Sequence, residues 1–171
     1  MGKEDHKTVW EGKYLRVKVC GRWEYAERPN SPAGVVIAAV SDKGLILTEQ
    51  FRIPIQKNVI ELPAGLAGDD HSQESFLEAA KRELQEETGY EAEEWEQVAF
   101  GPPSAGLSNE MVAIFRARKL HRSGKGGGEG EHEKIEVHEV PLVEVEAWLK
   151  QKEKSGAVVD PKIFAGIYFL R

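Results

Sequence analysis

The chain contains a single cysteine, Cys20, so it cannot form an internal disulfide framework. No apolar run is long enough to cross a membrane, and the first residues are polar, which argues against a secretory signal peptide. An excess of positive charge is also absent, because 29 Asp and Glu outnumber 23 Lys and Arg and the formal net charge is −6. That balance argues against nonspecific binding to nucleic acid or to an anionic membrane. Together these absences favour a cytoplasmic protein.

The rest of the composition is typical of a soluble globular protein. The 171 residues are 40% apolar and 30% charged, which is enough to bury one core, so we expect a single domain over residues 1–171. Cys20 lies in an alternating apolar run and is expected to be a packed core thiol. The five histidines show no metal-ligand spacing and are expected to be structural or solvent-facing: His6, His71, His121, His132 and His138.

Strand and helix patterns interleave along the chain. Residues 15–19 and 23–25 alternate apolar with polar side chains, and residues 33–40 form a continuous apolar run typical of a central strand. Further strands are predicted at 45–51, 59–62, 95–100, 111–116 and 135–140, and helices at 143–153 and 161–170. Residues 120–130 are rich in Gly, Lys and Ser and predict a mobile loop. This order predicts an α/β fold with a mixed β-sheet between helices.

A further helix is expected between Asp70 and Gly89, and it carries a dense group of acids. At about 100° per residue, Glu83, Glu86 and Glu87 share about one third of its surface. Neighbouring like charges destabilise a helix by a few tenths of a kcal/mol per pair, so a cation is expected nearby. Carboxylates are hard ligands, which favours magnesium, with manganese as the alternative. The competing interpretation is an ordinary solvated acidic face.

The ends and the apolar face of this helix can be predicted as well. Asp70, with Gln73 at the third helical position, predicts an N-terminal capping box, and Gly89 predicts the C-terminal cap. The expected apolar stripe consists of Phe76, Leu77, Ala80 and Leu84. Because the acids flank this stripe, the helix can bury one face and offer its carboxylates to a cleft.

Residues 68–90 match one long pattern, G-x5-E-x7-R-E-U-x-E-E-x-G-U, in which U is a bulky aliphatic residue. Only Tyr90 departs from it, because it is aromatic. Seven fixed letters match by chance about once in 10⁸ windows at average residue usage. The stretch resembles the Nudix box. The resemblance implies a Nudix α/β/α sandwich that hydrolyses a nucleoside diphosphate linked to another moiety.

Three flanking segments resemble the branch of ADP-ribose pyrophosphatases and nucleoside diphosphate sugar hydrolases. They are residues 49–52, 61–65 and 104–110. This branch commonly has a proline, used to diagnose ADP-ribose specificity, where this chain has Ala105. Despite this alanine, the resemblance implies ADP-ribose as the first substrate and GDP-mannose as the second. The alternatives are a hydrolase of dinucleotides or coenzymes and a Nudix-fold sensor that binds a nucleotide sugar without cleaving it.

The resemblance also implies roles for the acids of the box. Glu83 and Glu87 are expected to be catalytic metal ligands. The full expected ligand set on this turn and helix is Glu83, Glu86, Glu87 and the backbone carbonyl of Ala64. Glu74 and Arg82 are expected to form a structural pair that braces the turn before the helix.

A catalytic base is expected in the loop before the strand at 135–140. By resemblance, counting back from Ile135 places the base at Glu131 and a further metal ligand at Glu133. The glycines at 124–130 favour a loop that closes on the substrate as a lid. The alternative is that these acids, together with Glu129, are ordinary solvated loop residues.

Substrate contacts are expected from residues before and after the box. Arg28 and Arg52 can bind phosphates, because guanidinium groups suit bidentate contacts, although both can equally be surface arginines. Trp23 and Tyr25 can stack on a base, and core or dimer packing explains them as well. The matched segments add two candidates, Glu61 and Ser104. The branch is usually dimeric, so a hairpin at about residues 9–28 is expected to be exchanged in a homodimer.

Overall fold

The computed structural model describes residues 5–29, 33–68, 74–128 and 134–170. The strands in these ranges are β1 Lys7–Glu11, β2 Arg16–Cys20, β3 Trp23–Glu27, β4 Ala33–Ser41, β5 Gly44–Arg52, β6 Lys57–Glu61, β7 Ala64–Ala67, β8 Tyr90–Gly101, β9 Met111–Arg122, β10 Ile135–Val140 and β11 Val158–Val159. The helices are α1 Phe76–Thr88, α2 Val145–Lys154 and α3 Lys162–Leu170.

These strands form two sheets. β1, β2 and β3 make a three-stranded antiparallel sheet. The others make a mixed sheet in the order β11-β6-β5-β4-β9-β8, in which β10 pairs with β5 and β7 pairs with β4. The pairs β4/β9 and β6/β11 are parallel, and the other pairs are antiparallel. The predicted strands are confirmed, whereas β1, β7 and β11 were not predicted.

β4 is the central strand that its apolar run predicted. Successive side chains of a strand point to opposite faces, so a strand that is apolar throughout must be covered on both sides. Val35 and Ile37 pack on one face with Ala80 and Leu84 of α1. Val36 and Ala38 pack on the other face in the cluster that contains α2 and α3.

The result is a three-layer α/β/α sandwich with a mixed sheet in the middle, as the sequence predicted. Leu149 of α2 and Ile163 of α3 are buried in the layer opposite α1. Burial of each such side chain stabilises the fold by about 1.5–3 kcal/mol. No helix in the described ranges is long and apolar enough to cross a membrane.

α1 begins and ends at identifiable caps. The predicted cap at Asp70 with Gln73 is wrong, because the helix begins at Phe76; Asp70 and Gln73 themselves lie outside the described residues. Ser75 is the N-cap instead, and it forms a reciprocal capping box with Glu78. Gly89 is confirmed as the C-terminal cap, with a left-handed φ of 73°.

Two predicted core positions are wrong. Leu77 is 36% exposed, because Ala79 takes its place on the buried face of α1. Cys20 is only half-buried, because it lies on the three-stranded sheet rather than in the main core. Its sulfur lies 3.7 Å from His6 Nε2. Cys20 is therefore a sheet-surface thiol beside a histidine.

The predicted mobile loop at 120–130 is wrong in its first part. β9 continues through Arg122, and the following backbone is hydrogen-bonded to the C-terminal end of α1. The N–H of Gly127 donates to the Glu87 carbonyl at 2.7 Å, and that of Gly128 to the Glu86 carbonyl at 3.2 Å. Gly126, Gly127 and Gly128 all have positive φ, between 68° and 104°. Glycine is required at Gly126, where a Cβ would come within 2.3 Å of the Thr88 backbone.

Candidate active site

A cleft opens at the edge of the mixed sheet, where β4 and β9 begin and β6 ends. Its volume is about 570 Å³, and its walls come from β4, β6, β7, β9 and α1. Its charged lining residues are Arg28, Arg52, Glu61, Arg82, Glu83, Glu86, Glu87, Glu110 and Lys162. Carboxylates and cations thus face the same space.

Arg82 organises the carboxylates of α1. Its Nε donates to Glu74 Oε1 at 3.0 Å, and its Nη2 donates to the carbonyl of Leu66 at 3.2 Å. Its Nη1 donates to Glu83 Oε1 at 2.8 Å and to Glu86 Oε2 at 2.9 Å. The hydrogen bond to Glu74 raises the pKa of Arg82 despite partial burial, and Glu83 and Glu86 raise it further. A permanently charged guanidinium therefore braces β7 against α1 and holds two carboxylates in place.

The turn at β7 approaches α1 so closely that a side chain at residue 65 would displace the Glu83 carboxylate. A Cβ built on Gly65 would lie 1.9 Å from the Glu83 carboxyl carbon. The backbone N–H of Ala64 donates to Glu87 Oε2 at 3.0 Å, and Glu87 is only 6% exposed. The Glu83 and Glu87 carboxylates are therefore seated against the backbone of residues 64–65.

This donor set suits a hard divalent cation. The glutamates of α1 and the backbone of β7 present oxygen ligands and no sulfur or imidazole to this part of the cleft. Arg82 pairs with Glu83 and Glu86, and Glu87 adds a third carboxylate beside them, so the carboxylates outnumber the arginine on this wall. A cation bound there would reduce the repulsion between these acids and a phosphate.

The predicted phosphate-binding arginines also face the cleft. Arg52 Nε donates to Glu61 Oε2 at 2.7 Å, and Arg28 Nε donates to Glu110 Oε1 at 3.1 Å. Glu61 was predicted as a site residue; Glu110 was not, although it ends one of the matched flanking segments. Lys162, from the start of α3, was missed entirely, since nothing in its neighbourhood signals a site.

Three predicted site residues are not brought to this cleft. The Trp23 residue is 54% exposed on β3, and the Tyr25 hydroxyl bonds to His6 Nδ1 at 2.9 Å within the same sheet. Ser104 is exposed, and its carbonyl accepts hydrogen bonds from Leu107 and Ser108 within a turn. The predicted base Glu131, its neighbour Glu133 and the alternative Glu129 lie outside the described residues.

A second acidic group lies on the α2 side of the sheet. His138 was expected to be structural or solvent-facing, and its Nε2 lies 3.1 Å from Glu49 Oε2 and 3.8 Å from Glu136 Oε1. The Lys152 ammonium lies 2.6 Å from the same Glu49 oxygen. Burial raises the pKa of Glu49, but hydrogen bonds from Lys152, Asn58 and His138 outweigh it, so the pKa lies below its ordinary value. We interpret this group as an ion-pair network.

Known proteins resemble the whole chain. The NUDIX domain family matches residues 30–161. The chain is 30% identical to the methanol dehydrogenase activator of Bacillus methanolicus and 32% identical to the ADP-ribose pyrophosphatase of Bacillus subtilis, in each case over 96% of this chain and 89% of the relative. It is 32% identical to the GDP-mannose pyrophosphatase of Cronobacter sakazakii, over 81% of this chain and 72% of that protein.

Solved structures show the same architecture. The crystal structure of an ADP compounds hydrolase superposes with a TM-score of 0.74 at 20% identity, covering 98% of this chain and 90% of that one. At that identity the likeness shows the fold. The family match covers the acidic helix and all the cleft residues except Arg28 and Lys162, and relatives at 30% identity or more cover nearly the whole chain. On these grounds the chain belongs to the Nudix family.

Proposed function

We propose that this protein hydrolyses the diphosphate of nucleoside diphosphate sugars, with ADP-ribose as the first substrate and GDP-mannose as the second. The observation that carries the proposal is the cleft itself, where three box carboxylates face Arg28 and Arg52. Relatives named for ADP-ribose and GDP-mannose hydrolysis support it. Cleavage within the diphosphate yields AMP and ribose 5-phosphate from ADP-ribose, and GMP and mannose 1-phosphate from GDP-mannose.

The residues of the cleft divide the work of binding and catalysis. Glu83, Glu86, Glu87 and the carbonyl of Ala64 would hold a divalent cation, magnesium first and manganese second. Such an ion, when bound, supplies Lewis-acid stabilisation of charge on the phosphate oxygens. Arg28 and Arg52 orient the diphosphate, and their partner carboxylates Glu110 and Glu61 hold the two guanidinium groups towards the cleft.

The catalytic base that we propose is Glu131, which removes a proton from the attacking water; Glu133 and Glu129 are the alternatives. The base that we propose follows Gly128 in the chain. Gly127 and Gly128 are held in place, because they are hydrogen-bonded to the carbonyls of Glu87 and Glu86. The last described residues before Glu131 are therefore attached to the helix that carries the carboxylates.

The test is phosphate release coupled to alkaline phosphatase, which attacks the monoester products but not the intact substrate. The panel comprises ADP-ribose, GDP-mannose, NADH and a diadenosine polyphosphate. We expect turnover of ADP-ribose and of at least one other nucleotide sugar. When AMP or GMP is measured directly by chromatography, without the metal-dependent phosphatase, activity is expected to be lost with excess chelator and to recover with magnesium or manganese. Faster turnover of NADH or the dinucleotide would favour the coenzyme hydrolase. Tight binding of a nucleotide sugar without release of phosphate would favour a sensor.

The protein is further proposed to be a cytoplasmic homodimer that exchanges its N-terminal hairpin, within about residues 9–28. A three-stranded sheet is stabilised by burying an apolar face, and this one leaves Val9, Trp10 and Trp23 more than half exposed. Its links to the body include the hydrogen bond that the Ala26 N–H donates to the Leu107 carbonyl and the one that the Ala26 carbonyl accepts from the Asn109 N–H. Light scattering is expected to give twice the chain mass of 19.1 kDa, and a monomer would contradict this part of the proposal.

A further inference from the structure

Lys162 reaches the cleft from the layer opposite the acidic helix. β11 pairs in parallel with β6, so both strands end at the same edge of the sheet. The N–H of Asp160 then donates to the carbonyl of Ile60 at 2.9 Å, which fixes the start of α3 beside Glu61. Lys162 is the first residue of α3 and lines the same cleft as Glu83 of α1. The cleft is thus closed by one helix from each face of the sheet.

The cations of the cleft share one arrangement. Each pairs with a carboxylate whose side chain is less exposed than its own. The side-chain exposures in the three pairs are 38% and 27% for Arg28–Glu110, 40% and 14% for Arg52–Glu61, and 35% and 12% for Lys162–Asp160. A carboxylate beneath a cation limits the orientations of the charged group, and an ammonium that bonds to one carboxylate still has two further N–H donors. Lys162 repeats the geometry of the two arginines.

The charge of the cleft explains why a third cation would help to bind a phosphate. Five lining residues are acidic and four are basic, and one of the four is Arg82, which is already bonded to Glu74, Glu83 and Glu86. A nucleoside diphosphate sugar brings about two more negative charges. Attraction to its phosphates must therefore come from a bound cation and from the remaining basic residues, among which Lys162 is the one on the α3 wall.

We propose that Lys162 binds the substrate, its ammonium donating to a phosphate oxygen of the nucleoside diphosphate sugar from the α3 side. The inference rests on the hydrolysis proposed above and adds a residue to its site. An ammonium has three donors, and Asp160 accepts one of them. A charge-assisted hydrogen bond of this kind changes affinity by about 10- to 100-fold.

The experiment compares Lys162→Met, Lys162→Arg and Asp160→Asn with the wild type, using ADP-ribose and magnesium. Lys162→Met is expected to lower kcat/KM by about 10- to 100-fold, mostly through KM, and to make kcat/KM less sensitive to ionic strength. Lys162→Arg keeps the charge and should stay within a few-fold of the wild type. Asp160→Asn removes the ion pair but keeps both the ammonium and an acceptor for the Lys162 N–H, so it serves as the structural control.

Two results would overturn the inference. One is a Lys162→Met variant with the kcat/KM and the salt dependence of the wild type. The other is a parallel fall of activity and melting temperature in Lys162→Met and Asp160→Asn, which would make the ion pair purely structural. A wild type without turnover on any nucleotide sugar would instead refute the proposed function, so the two failures are distinguishable.

Discussion

Gly65→Ala should inactivate the enzyme while leaving the fold intact. The added Cβ would lie 1.9 Å from the Glu83 carboxyl carbon and 2.0 Å from its Oε1. Carbon atoms pack at about 3.5–4.0 Å, so the carboxylate must move by about 1.5 Å or more. Metal–ligand distances tolerate only about 0.2 Å, and Glu83 would therefore stop being a ligand. Mutation of residues that only hydrogen-bond to metal ligands lowers metal affinity or activity by about 10- to 100-fold. Because Glu83 is expected to bind the metal directly, we expect kcat/KM to fall at least 10²-fold.

The stability change should be small by comparison. Gly65 does not have a positive φ, so alanine is allowed there, and Gly→Ala at such a site stabilises by about 0.4–1 kcal/mol through the unfolded state. Forcing Glu83 into another conformation costs about 0.5–1.5 kcal/mol. These terms nearly cancel, and about 1 kcal/mol shifts the melting temperature of a protein of this size by only about 2–4 °C.

The assay is turnover of ADP-ribose as a function of magnesium concentration, alongside thermal unfolding. Gly101→Ala is the matched control, because Gly101 is a strand glycine whose Cβ would have nothing within 4 Å. The double variant Glu83→Ala/Gly65→Ala separates displacement of the Glu83 carboxylate from other effects. Because that carboxylate is already absent in Glu83→Ala, the added Gly65→Ala should lower turnover no further. Full activity of Gly65→Ala, or an equal loss in the Glu83→Ala background, would refute the reasoning.

Four further changes test other parts of the site. Glu87→Gln should lower kcat by orders of magnitude with the fold retained, and near wild-type magnesium-dependent turnover would remove Glu87 from the metal site. Glu131→Gln should lower kcat by about 10²- to 10⁴-fold with little change in substrate binding, whereas an active variant beside an inactive Glu133→Gln would move the base. Ala105→Pro should raise the kcat/KM ratio of ADP-ribose over GDP-mannose, because proline stiffens a turn whose hydrogen bonds are donated by residues 107 and 108; an unchanged ratio would make residue 105 neutral. Because the pKa of Glu49 is lowered in the folded protein, its ionised carboxylate stabilises the fold at pH values above the ordinary pKa of a glutamate, and this stabilisation is lost as the pH falls through the lowered pKa. Glu49→Gln should therefore flatten the acid side of the plot of melting temperature against pH. Parallel plots for the variant and the wild type would contradict this reasoning.

The predictable features are those written in local sequence patterns. The apolar run of β4 indicated a strand buried on both faces, and the spacing of the box acids placed them on one face of α1. The N-cap was mistaken because two capping-box patterns compete: Asp70 with Gln73, and Ser75 with Glu78. Ser75 directly precedes the first helical residue, and this signal was available in the sequence.

The remaining features depend on contacts between distant segments. β7 has four small or apolar residues without alternation, and β11 has only two residues, so pairing with β4 and β6 defines them. Glu49 and Glu136 are partners across β5 and β10, which no spacing along the chain could reveal. Lys162 reaches the cleft only because β11 pairs with β6.

The glycine-rich segment after β9 limits how this protein can be engineered. By composition, residues 124–128 look like a flexible linker, the usual place for an insertion, a tag or a circular permutation. Instead, their backbone N–H groups terminate α1, which has no basic residue in its last turn. An insertion before Gly127 would remove the N–H groups that bond to the carbonyls of Glu86 and Glu87 at the end of the acidic helix. The tolerant insertion points should be sought elsewhere, for example at the exposed Asp42–Lys43 turn between β4 and β5.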